Sequence, residues 1–506
     1  MNETLPFTKM KVSSMRHLQR FITGVILLAA AGCAVGPDFK QPATKTPAAW
    51  SGLDVFGRQQ TSTAVAGSAA LAAWWSIFND PALTGLVEKA LAANLDLKIA
   101  EARVRQARAS WGTAFAGLWP SVNSSSSYTR SHESPSSTAG ATTGSSGSGT
   151  TGSKPHEIRT DLFQAGLDAA WELDIFGGTR RNVEAADADL QAAEENRRSV
   201  LVSLAAEVGT TYISLRGYQQ QLVIARKNLE SQLHSAGITR KRYEAGLANA
   251  LDTANAEALA ASTQSTIPIL ESAERQAIYS LSVLLAREPA ALQAELAPEA
   301  PIPQVPQQVA VGVPSELLRR RPDVRSAEAQ LHAATARVGV AVADFFPKFS
   351  LIGSFGLRGS EWQTLGNRDN HVWSGGPGVT WNIFDAGRTI SNLKLQKAVQ
   401  DETLAAYEKA VLSALKDVDS ALVAYAKEQE HLTALTSAVT NGRKAVDLSM
   451  QLYTVGRSDY LSVLIAQRAL FAYEDAWVQS SRNLDVNLVA LYKALGGGWE
   501  ENKPTL

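Results

Sequence analysis

The period of hydrophobic and polar positions changes several times along the chain. Residues 164–175, QAGLDAAWELDI, alternate between apolar or small positions and mostly polar ones. A period of two predicts a β-strand with one apolar and one polar face. Weaker alternation at 349–357 and 379–383, and the polar stretch that begins at Ser121, predict three more strands. We therefore expect the chain to contain four strands.

Two much longer stretches have a helical period instead. Residues 179–244 and 388–452 contain no proline and are rich in Ala, Glu, Gln, Leu and Arg. At about 1.5 Å per residue each predicts a rod of roughly 90 Å, and the 3,4 spacing of apolar positions is typical of a coiled coil. Neither stretch has the ~20-residue apolar run of a membrane-spanning helix. A further helix is predicted from Asp80, a suitable N-cap, to Pro120.

The two halves of the chain resemble each other. NLDLKIAEARVRQA at 94–107 is similar to RPDVRSAEAQLHAA at 321–334, at an offset of 227 residues. WELDIFGGTR at 171–180 is similar to WNIFDAGR at 381–388, with the tryptophans offset by 210 residues. Each half therefore reads helix, strand, loop, strand, long helix, turn, helix. Internal duplication on this scale predicts the architecture better than local propensity does.

The duplication predicts the domain boundaries. We expect a first repeat at 80–300 and a second repeat at 301–495, each with a helix, two strands and a long helical hairpin. A C-terminal tail follows at 496–506. Before the first repeat we expect a signal peptide at 1–32 and a lipidated, extended N-terminal segment at 33–79.

The N-terminus has the features of a bacterial lipoprotein signal. Residues 21–32, FITGVILLAAAG, form an apolar run that is too short to span a bilayer but suits a secretory signal. The small residues before Cys33 resemble a lipobox, after which Cys33 would carry a covalent lipid. The alternative is an ordinary cleaved signal with a stray thiol. Cys33 is the only cysteine, which excludes disulfides, and Ala34 after it favours delivery to the outer membrane.

Composition and motifs argue against several classes of function. The chain has 48 Lys and Arg against 49 Asp and Glu, so it has no basic excess for binding nucleic acid. Its seven His show no HExxH or Cys/His spacing, so we expect no metal site. No catalytic constellation is present, and we expect neither enzymatic activity nor a cofactor other than the lipid on Cys33.

Four strands set a condition on any membrane-embedded sheet. A lipid-facing sheet has to close into a barrel, and membrane barrels have at least about eight strands. One chain cannot close such a barrel, whereas a dimer would supply eight strands and a trimer twelve. The lumen would be lined by the polar strand face that contains Asp168, Glu172 and Asp174, and the helical rods would continue the tube on the periplasmic side.

Several motifs in this order resemble the TolC-like outer-membrane efflux proteins, in particular the OprM/NodT lipoprotein branch. They are the lipobox with AVGPDF, WWSIFNDPAL, RRRPDVRSAEAQL, FDAGR and YTVGRSDYLSVLIAQR. The resemblance implies an α+β membrane protein: a homotrimer whose twelve-stranded outer-membrane barrel, with four strands per chain, continues into an α-helical coiled-coil periplasmic tunnel. It also implies a periplasmic adaptor and an inner-membrane pump of the RND type as partners.

The two long hairpins end in related turns. Tyr243 and Gly246 of the first turn match Tyr453 and Gly456 of the second, and glycine is favoured where a helix ends. The resemblance implies that the periplasmic end closes near these turns and places Tyr453 on a gating tyrosine of the family. Ile465 stands where the family usually has an aspartate.

The sequence leaves the means of closure open. Arg457, Asp459 and Asp252 are the charged groups that could form polar latches, or these charges could simply be solvated. A ring of Ile465 side chains would instead narrow the lumen by apolar packing.

The expected function is a passive exit duct for small molecules in the outer membrane, anchored by lipid and extending into the periplasm. One alternative is the outlet of a type I protein secretion system. A second is a lipid-anchored coiled-coil scaffold, which does not explain the alternating strands.

Overall fold

A computed structural model of the chain describes residues 34–43, 47, 50–51, 69–133, 158–303 and 320–499. The predicted signal peptide, Cys33 and most of the Ser/Gly-rich segment after β1 lie outside these residues. The chain divides into two compact units. Unit 1 contains the N-terminal residues up to Lys40, Arg108–Asp189 and Leu331–Glu402, and unit 2 contains Gln41–Ala107, Leu190–Gln330 and the residues from Thr403 onward. Each unit draws on both halves of the chain, and the repeat boundaries stay a prediction.

In its described residues, unit 1 contains an antiparallel sheet of four strands in the order β1-β2-β3-β4. The strands are β1 Ser121–Glu133, β2 Ile158–Leu173, β3 Lys348–Gly359 and β4 His371–Thr380. All three neighbouring pairs are antiparallel. The prediction of four strands is therefore confirmed, including β1, whose sequence has few apolar residues.

The register of the sheet separates its two faces. Leu167 of β2 lies opposite Phe355 of β3, whereas its neighbour Asp168 lies opposite Asn123 and Ser354. Because successive side chains in a strand point to opposite faces, the first pair belongs to an apolar face and the second set to a polar face. The alternation in residues 164–173 thus corresponds to two chemically different surfaces.

The strand predicted at 379–383 is wrong beyond its first two residues. β4 ends at Thr380, and the indole N–H of Trp381 donates to the carbonyl oxygen of Phe345 at 3.0 Å. The Asp385 carboxylate accepts backbone N–H groups at the start of the next helix. The chain therefore leaves the sheet to begin a helix, and the side chain of Ile383 is 82% exposed.

The helix predicted from Asp80 to Pro120 is two helices, α1 Pro81–Ala93 and α2 Leu95–Ala116. Asp80 caps α1 as expected, since its carboxylate accepts from the backbone N–H groups that follow it, at 2.8 and 3.1 Å. Asn94 ends α1, and its side-chain oxygen accepts from the Leu97 N–H at 3.0 Å. This second cap, within an otherwise helical pattern, separates the helices.

The remaining long helices match the predicted stretches closely. They are α3 Gly178–Glu244, α4 Ala250–Leu284, α5 Pro322–Ala343, α6 Arg388–Thr454 and α7 Tyr460–Ala494. Short helical segments lie at Ala69–Ala72, Trp74–Phe78, Gln293–Leu296, Trp362–Thr364 and Arg368–Asn370. Among the described residues, no helix combines the length and the apolar character needed to cross a bilayer.

The core of unit 2 includes an aromatic pair that joins the segment before α1 to α7. Trp74 is fully buried and stacks on Tyr492 at a ring-centroid distance of 5.8 Å. A Cβ on Gly209 of α3 would lie 3.0 Å from the Trp74 ring, so glycine lets the helix approach it. The Tyr212 hydroxyl donates to Asp80 at 2.7 Å and joins α3 to the cap of α1.

Residues 34–40 form a strap on unit 1. The Val35 N–H donates to the Phe176 carbonyl at 3.0 Å, and the buried Arg181 guanidinium donates to Asp38 at 2.6 Å. A Cβ on Gly36 would lie only 2.5 Å from the Cα of Gly339, so only glycine fits this approach. The strap is thus part of the packed structure of unit 1.

Candidate functional site

The two helical hairpins end in the same backbone turn. At the first tip, the Gly246 N–H donates to the Tyr243 carbonyl at 2.9 Å and the Leu247 N–H donates to the Arg242 carbonyl at 2.7 Å. This pair of bonds is a Schellman motif, which requires a left-handed residue after the helix. Gly246 supplies it with φ of +72°.

The second tip repeats this geometry. The Gly456 N–H donates to the Tyr453 carbonyl at 3.0 Å and the Arg457 N–H donates to the Leu452 carbonyl at 2.8 Å. Gly456 has φ of +73°. The glycines therefore have a definite structural role, because a side chain would strain the backbone in this region.

The acidic residues of the tips cap the helices that follow the turns. Asp252 and Asn249 form a reciprocal capping box at the start of α4. Asp459 caps α7 and accepts from the Ser462 N–H at 3.2 Å and its hydroxyl at 2.9 Å. Both carboxylates therefore already stabilise helix N-termini within their own hairpin.

A buried apolar cluster joins the two hairpins just behind the turns. Its members are Ala236, Ala256, Leu259, Tyr453, Tyr460, Val463 and Leu464. The rings of Tyr453 and Tyr460 meet edge to face at 5.4 Å. Burial, with smaller contributions from nearby Tyr453 and Asp252, raises the pKa of Tyr460 to about 12. The tip is therefore a small hydrophobic core with its own tyrosine pair.

Arg242 connects the first hairpin to the second. Its guanidinium lies 4.8 Å from the ring centroid of Tyr453 and donates to the Thr454 carbonyl at 3.0 Å. The Tyr453 hydroxyl in turn reaches the Thr239 hydroxyl at 3.5 Å. A cation over an aromatic face contributes about 0.5–1 kcal/mol at exposed sites. Arg242 was not among the residues predicted from the sequence. It corresponds to Leu452 at the repeat offset of 210 residues, so the first tip has a charge where the second tip is apolar.

The structure brings only some of the predicted gating residues together. Tyr453 is buried in the tip cluster, whereas Tyr243 is 48% exposed and Ile465 is 60% exposed. Arg457 is also exposed. Within one chain, Tyr453 thus contacts the other hairpin, while Ile465 and Arg457 lie on its surface. The gating roles of Tyr453, Arg457, Asp459, Ile465 and Asp252 stay predictions.

A buried polar clamp connects three helices farther from the tips. Both oxygens of Glu474 on α7 are bonded: Oε1 accepts from Nε and Nη2 of Arg443 on α6, at 2.9 and 2.7 Å. Oε2 accepts from the Asn228 amide on α3 at 2.9 Å. The side chain of Glu474 is only 7% exposed, whereas that of Arg443 is 58% exposed. We call Asn228, Arg443 and Glu474 the clamp.

Further polar contacts between α3 and α7 lie on either side of the clamp. The Gln221 amide donates to Asp475 at 2.6 Å, and the Gln467 amide donates to the Ser235 hydroxyl at 2.8 Å. Hydrogen bonds in a low-dielectric interior specify geometry because an unpaired group there is costly. The two hairpins are therefore joined by directional contacts as well as by apolar packing.

The predicted lumen residues take two different positions. Asp168 and Glu172 lie in β2, on the polar face of the sheet. Asp174 follows the end of β2, and its carboxylate accepts from the Thr179 and Arg180 N–H groups at 3.1 and 2.8 Å. Its oxygens are thus engaged at the start of α3, and a lumen role for the three residues stays a prediction. In the described ranges, no three His, Cys, Asp or Glu side chains come together as a possible metal site.

An antiparallel sheet with one apolar face, followed by long paired helices that reverse at glycine turns, is the arrangement expected of one subunit of an outer-membrane channel. The sequence profile described as outer membrane efflux protein matches residues 86–287 and 313–497. The chain belongs to this family, which confirms the resemblance seen in the motifs. It is the outer-membrane component of an efflux system.

Individual relatives support the assignment over nearly the whole chain. The pyoverdine export outer membrane protein OpmQ of Pseudomonas aeruginosa is 34% identical, covering 97% of this chain and 99% of the relative. The toluene efflux pump outer membrane protein TtgI of Pseudomonas putida is 33% identical, covering 94% and 97%. The solved structure of the outer-membrane channel OprN is 36% identical, with a TM-score of 0.82 over 92% of this chain and 100% of that one.

Proposed function

We propose that three copies of this chain form a passive exit duct through which an efflux system expels small molecules. Each copy would contribute four strands to a twelve-stranded barrel, because a lipid-facing sheet has to close on itself. The observation that carries the proposal is the combination, in one chain, of a four-stranded sheet with helices of 67 and 35 residues in each hairpin. The helices would continue the duct as a periplasmic tunnel.

A direct test of the duct is conductance of the purified protein in planar bilayers. We expect the full chain to give discrete conductance steps. In detergent solution, the molar mass of the protein should correspond to three copies of the chain. A protein that stays monomeric and adds no conductance would argue for the scaffold alternative.

The duct would work with a periplasmic adaptor and an inner-membrane pump of the RND type. The names of the relatives, which describe export and efflux-pump components of the outer membrane, support this choice over a type I secretion outlet. Deletion of the gene should increase susceptibility to small toxic molecules without loss of a secreted protein. The reverse result would support the secretion alternative.

The lipid on Cys33 is the second part of the proposal. It is supported by the small residues that precede Cys33. The strap would hold the residues that follow a lipidated Cys33 on unit 1, through Val35 and Asp38. Metabolic labelling with a fatty acid should mark the wild-type chain and not Cys33→Ser. Labelling of both would exclude Cys33 as the acceptor.

Closure of the periplasmic mouth is the third part. We propose that the tips rest in a closed arrangement and that docking of the adaptor favours an open one, which requires contacts that differ between the two states. Arg457 and Asp459 are exposed at the second tip and are the proposed latch charges. Asp459→Ala combined with Arg457→Ala should raise single-channel conductance.

Asp459 also caps α7, so a control has to separate the latch from helix stability. Asp459→Asn combined with Arg457→Gln keeps a capping side chain while removing both charges. Raised conductance in both double variants supports the latch. Unchanged conductance in the second pair would contradict the latch and leave the duct in place.

A further inference from the structure

A cavity of about 710 Å³ lies in unit 1 where the sheet ends and α6 begins. β3 starts at Lys348, β4 ends at Thr380 and α6 starts at Arg388, and all three residues line the cavity. In the proposed duct the helices lie on the periplasmic side of the barrel. The cavity would therefore lie at the level of the lipid headgroups of the periplasmic leaflet.

The wall of the cavity has a net positive charge. Lys348 and Arg388 contribute two positive charges and Asp344 contributes one negative charge, which leaves a net charge of +1. The amino group of Lys348 lies 3.3 Å from the Asp344 carboxylate, so these two charges offset each other and the exposed Arg388 supplies the excess. Asp385 lies just before α6, and its carboxylate is already bonded to backbone N–H groups at the start of that helix.

Hydroxyl and amide side chains make up much of the remaining polar wall. They include Thr380, Asn382 and Asn392. These groups donate hydrogen bonds, and a guanidinium group matches the geometry of phosphate oxygens, which only accept. The wall therefore has the chemistry to bind a phosphate group that carries a single negative charge, such as a phosphodiester.

Exposed apolar side chains lie beside the charged part of the cavity. Trp381 and Phe346 are part of its wall, and the indole N–H of Trp381 is bonded to the Phe345 carbonyl, which fixes the ring. Ile383 and Phe384 follow Trp381, and Phe384 is 87% exposed. A group of exposed apolar side chains next to a cationic cavity suits a ligand that has one charged end and one apolar end.

This apolar surface continues the apolar face of the sheet. Val379 of β4 lies opposite Phe349 of β3 on that face, and Trp381 follows two residues later in the chain. In membrane proteins, tryptophan is enriched at the level of the headgroups, and basic pockets at this level bind lipid headgroups.

We propose that the cavity binds a phospholipid. The phosphodiester of its headgroup lies at Arg388 and Lys348, and its acyl chains run along Trp381, Ile383 and Phe384. The inference rests on the proposed barrel, which puts the apolar face of the sheet in lipid.

Native mass spectrometry of the purified full-length protein in detergent measures this binding. The probe is dioleoylphosphatidylglycerol, titrated onto delipidated protein. We expect saturable binding of one lipid per chain, and the affinity should fall by about tenfold or more in Lys348→Gln combined with Arg388→Gln, because both cations are removed. Arg226→Gln combined with Lys416→Gln removes two exposed cations of unit 2 and should bind lipid like the wild type.

Two further probes separate a phospholipid from a free anion. Dioleoylglycerol, which has the same acyl chains and no phosphate, should not saturate the site. Inorganic phosphate should not displace the phospholipid, and Phe384→Ser should weaken phospholipid binding severalfold. Displacement by inorganic phosphate, or saturation by dioleoylglycerol, would overturn the phospholipid assignment, as would equal phospholipid binding by the wild type and the Lys348 and Arg388 double variant.

A second copy of the chain is the other candidate to cover the apolar surface. In the first half of the chain, Phe176 stands where the second half has Phe384, and it stacks on Phe346 at 4.5 Å. If Phe384→Ser dissociates the trimer and leaves phospholipid binding unchanged, the surface is a subunit contact and the inference is wrong. A protein that binds phospholipid as expected but neither forms trimers nor conducts would contradict the proposed duct and leave the lipid site in place.

Discussion

Removal of Arg443 tests how much the clamp stabilises the packing of α3, α6 and α7. In the wild-type chain the Arg443 guanidinium donates two hydrogen bonds to Glu474, whose side chain is 7% exposed. Arg443→Ala leaves a buried carboxylate with one remaining bond, from Asn228. A buried charge that loses its partner costs about 3–5 kcal/mol. Because Arg443 itself is more than half exposed, water replaces part of the lost interaction, and we expect about 2–3 kcal/mol.

The measurement is the midpoint of helix unfolding by circular dichroism in detergent, with urea as the denaturant. Arg226→Ala is the matched control, because Arg226 contacts Glu271 at 3.1 Å in a pair whose side chains are both about half exposed. Such a surface pair contributes about 0–1 kcal/mol. Arg443→Ala combined with Glu474→Gln should recover part of the loss, since no buried charge is left unpaired. A loss for Arg443→Ala no larger than that of the control would show that the clamp does not stabilise the packing of these helices.

Three further predictions concern single side chains. Burial raises the pKa of Asp485 to about 8, so folding takes up a proton. The free energy of unfolding should therefore fall as pH rises from about 4 to 8, by up to 1.4 kcal/mol per pH unit. Asp485→Asn should abolish that slope in urea titrations, and an unchanged slope would contradict the assignment to Asp485. Gly456→Ala should destabilise the fold by roughly 1–2 kcal/mol because φ is positive there, whereas Gly237→Ala within α3, where a Cβ meets no atom within 4 Å, should be neutral or stabilising. Ile465→Asp should increase cation selectivity and sensitivity to divalent ions in planar bilayers, and no change in either would place Ile465 away from the constriction.

Periodic patterns of hydrophobic and polar residues predicted the fold well, because the period of the buried positions differs between strands and helices. Alternation in 164–173 marks a sheet with two different faces, and the absence of proline in 179–244 marks an uninterrupted helix. The errors lie where one polar side chain changes the course of the backbone. Asn94 ends a helix within a helical pattern, and Asp385 starts a helix close after β4. Local capping of this kind carries little periodic signal.

The candidate site was less predictable, for a physical reason. Turn chemistry at Gly246 and Gly456 can be recognised from sequence because few residues adopt a positive φ. Contacts between hairpins, such as Arg242 with Tyr453 or Asn228 with Glu474, join residues that are distant along the chain. They depend on the relative rotation of long helices, which no local pattern specifies.

The position of the clamp along α7 has a mechanical consequence for the mouth of the proposed duct. Glu474 lies fifteen residues after Asp459, which caps the start of that helix. At about 1.5 Å per residue, this segment is a lever arm of roughly 22 Å. With the clamp as the pivot, a rotation of about 10° would displace the tip by roughly 4 Å, the width of one side chain. In the proposed duct, a small angular change would therefore be enough to change the aperture.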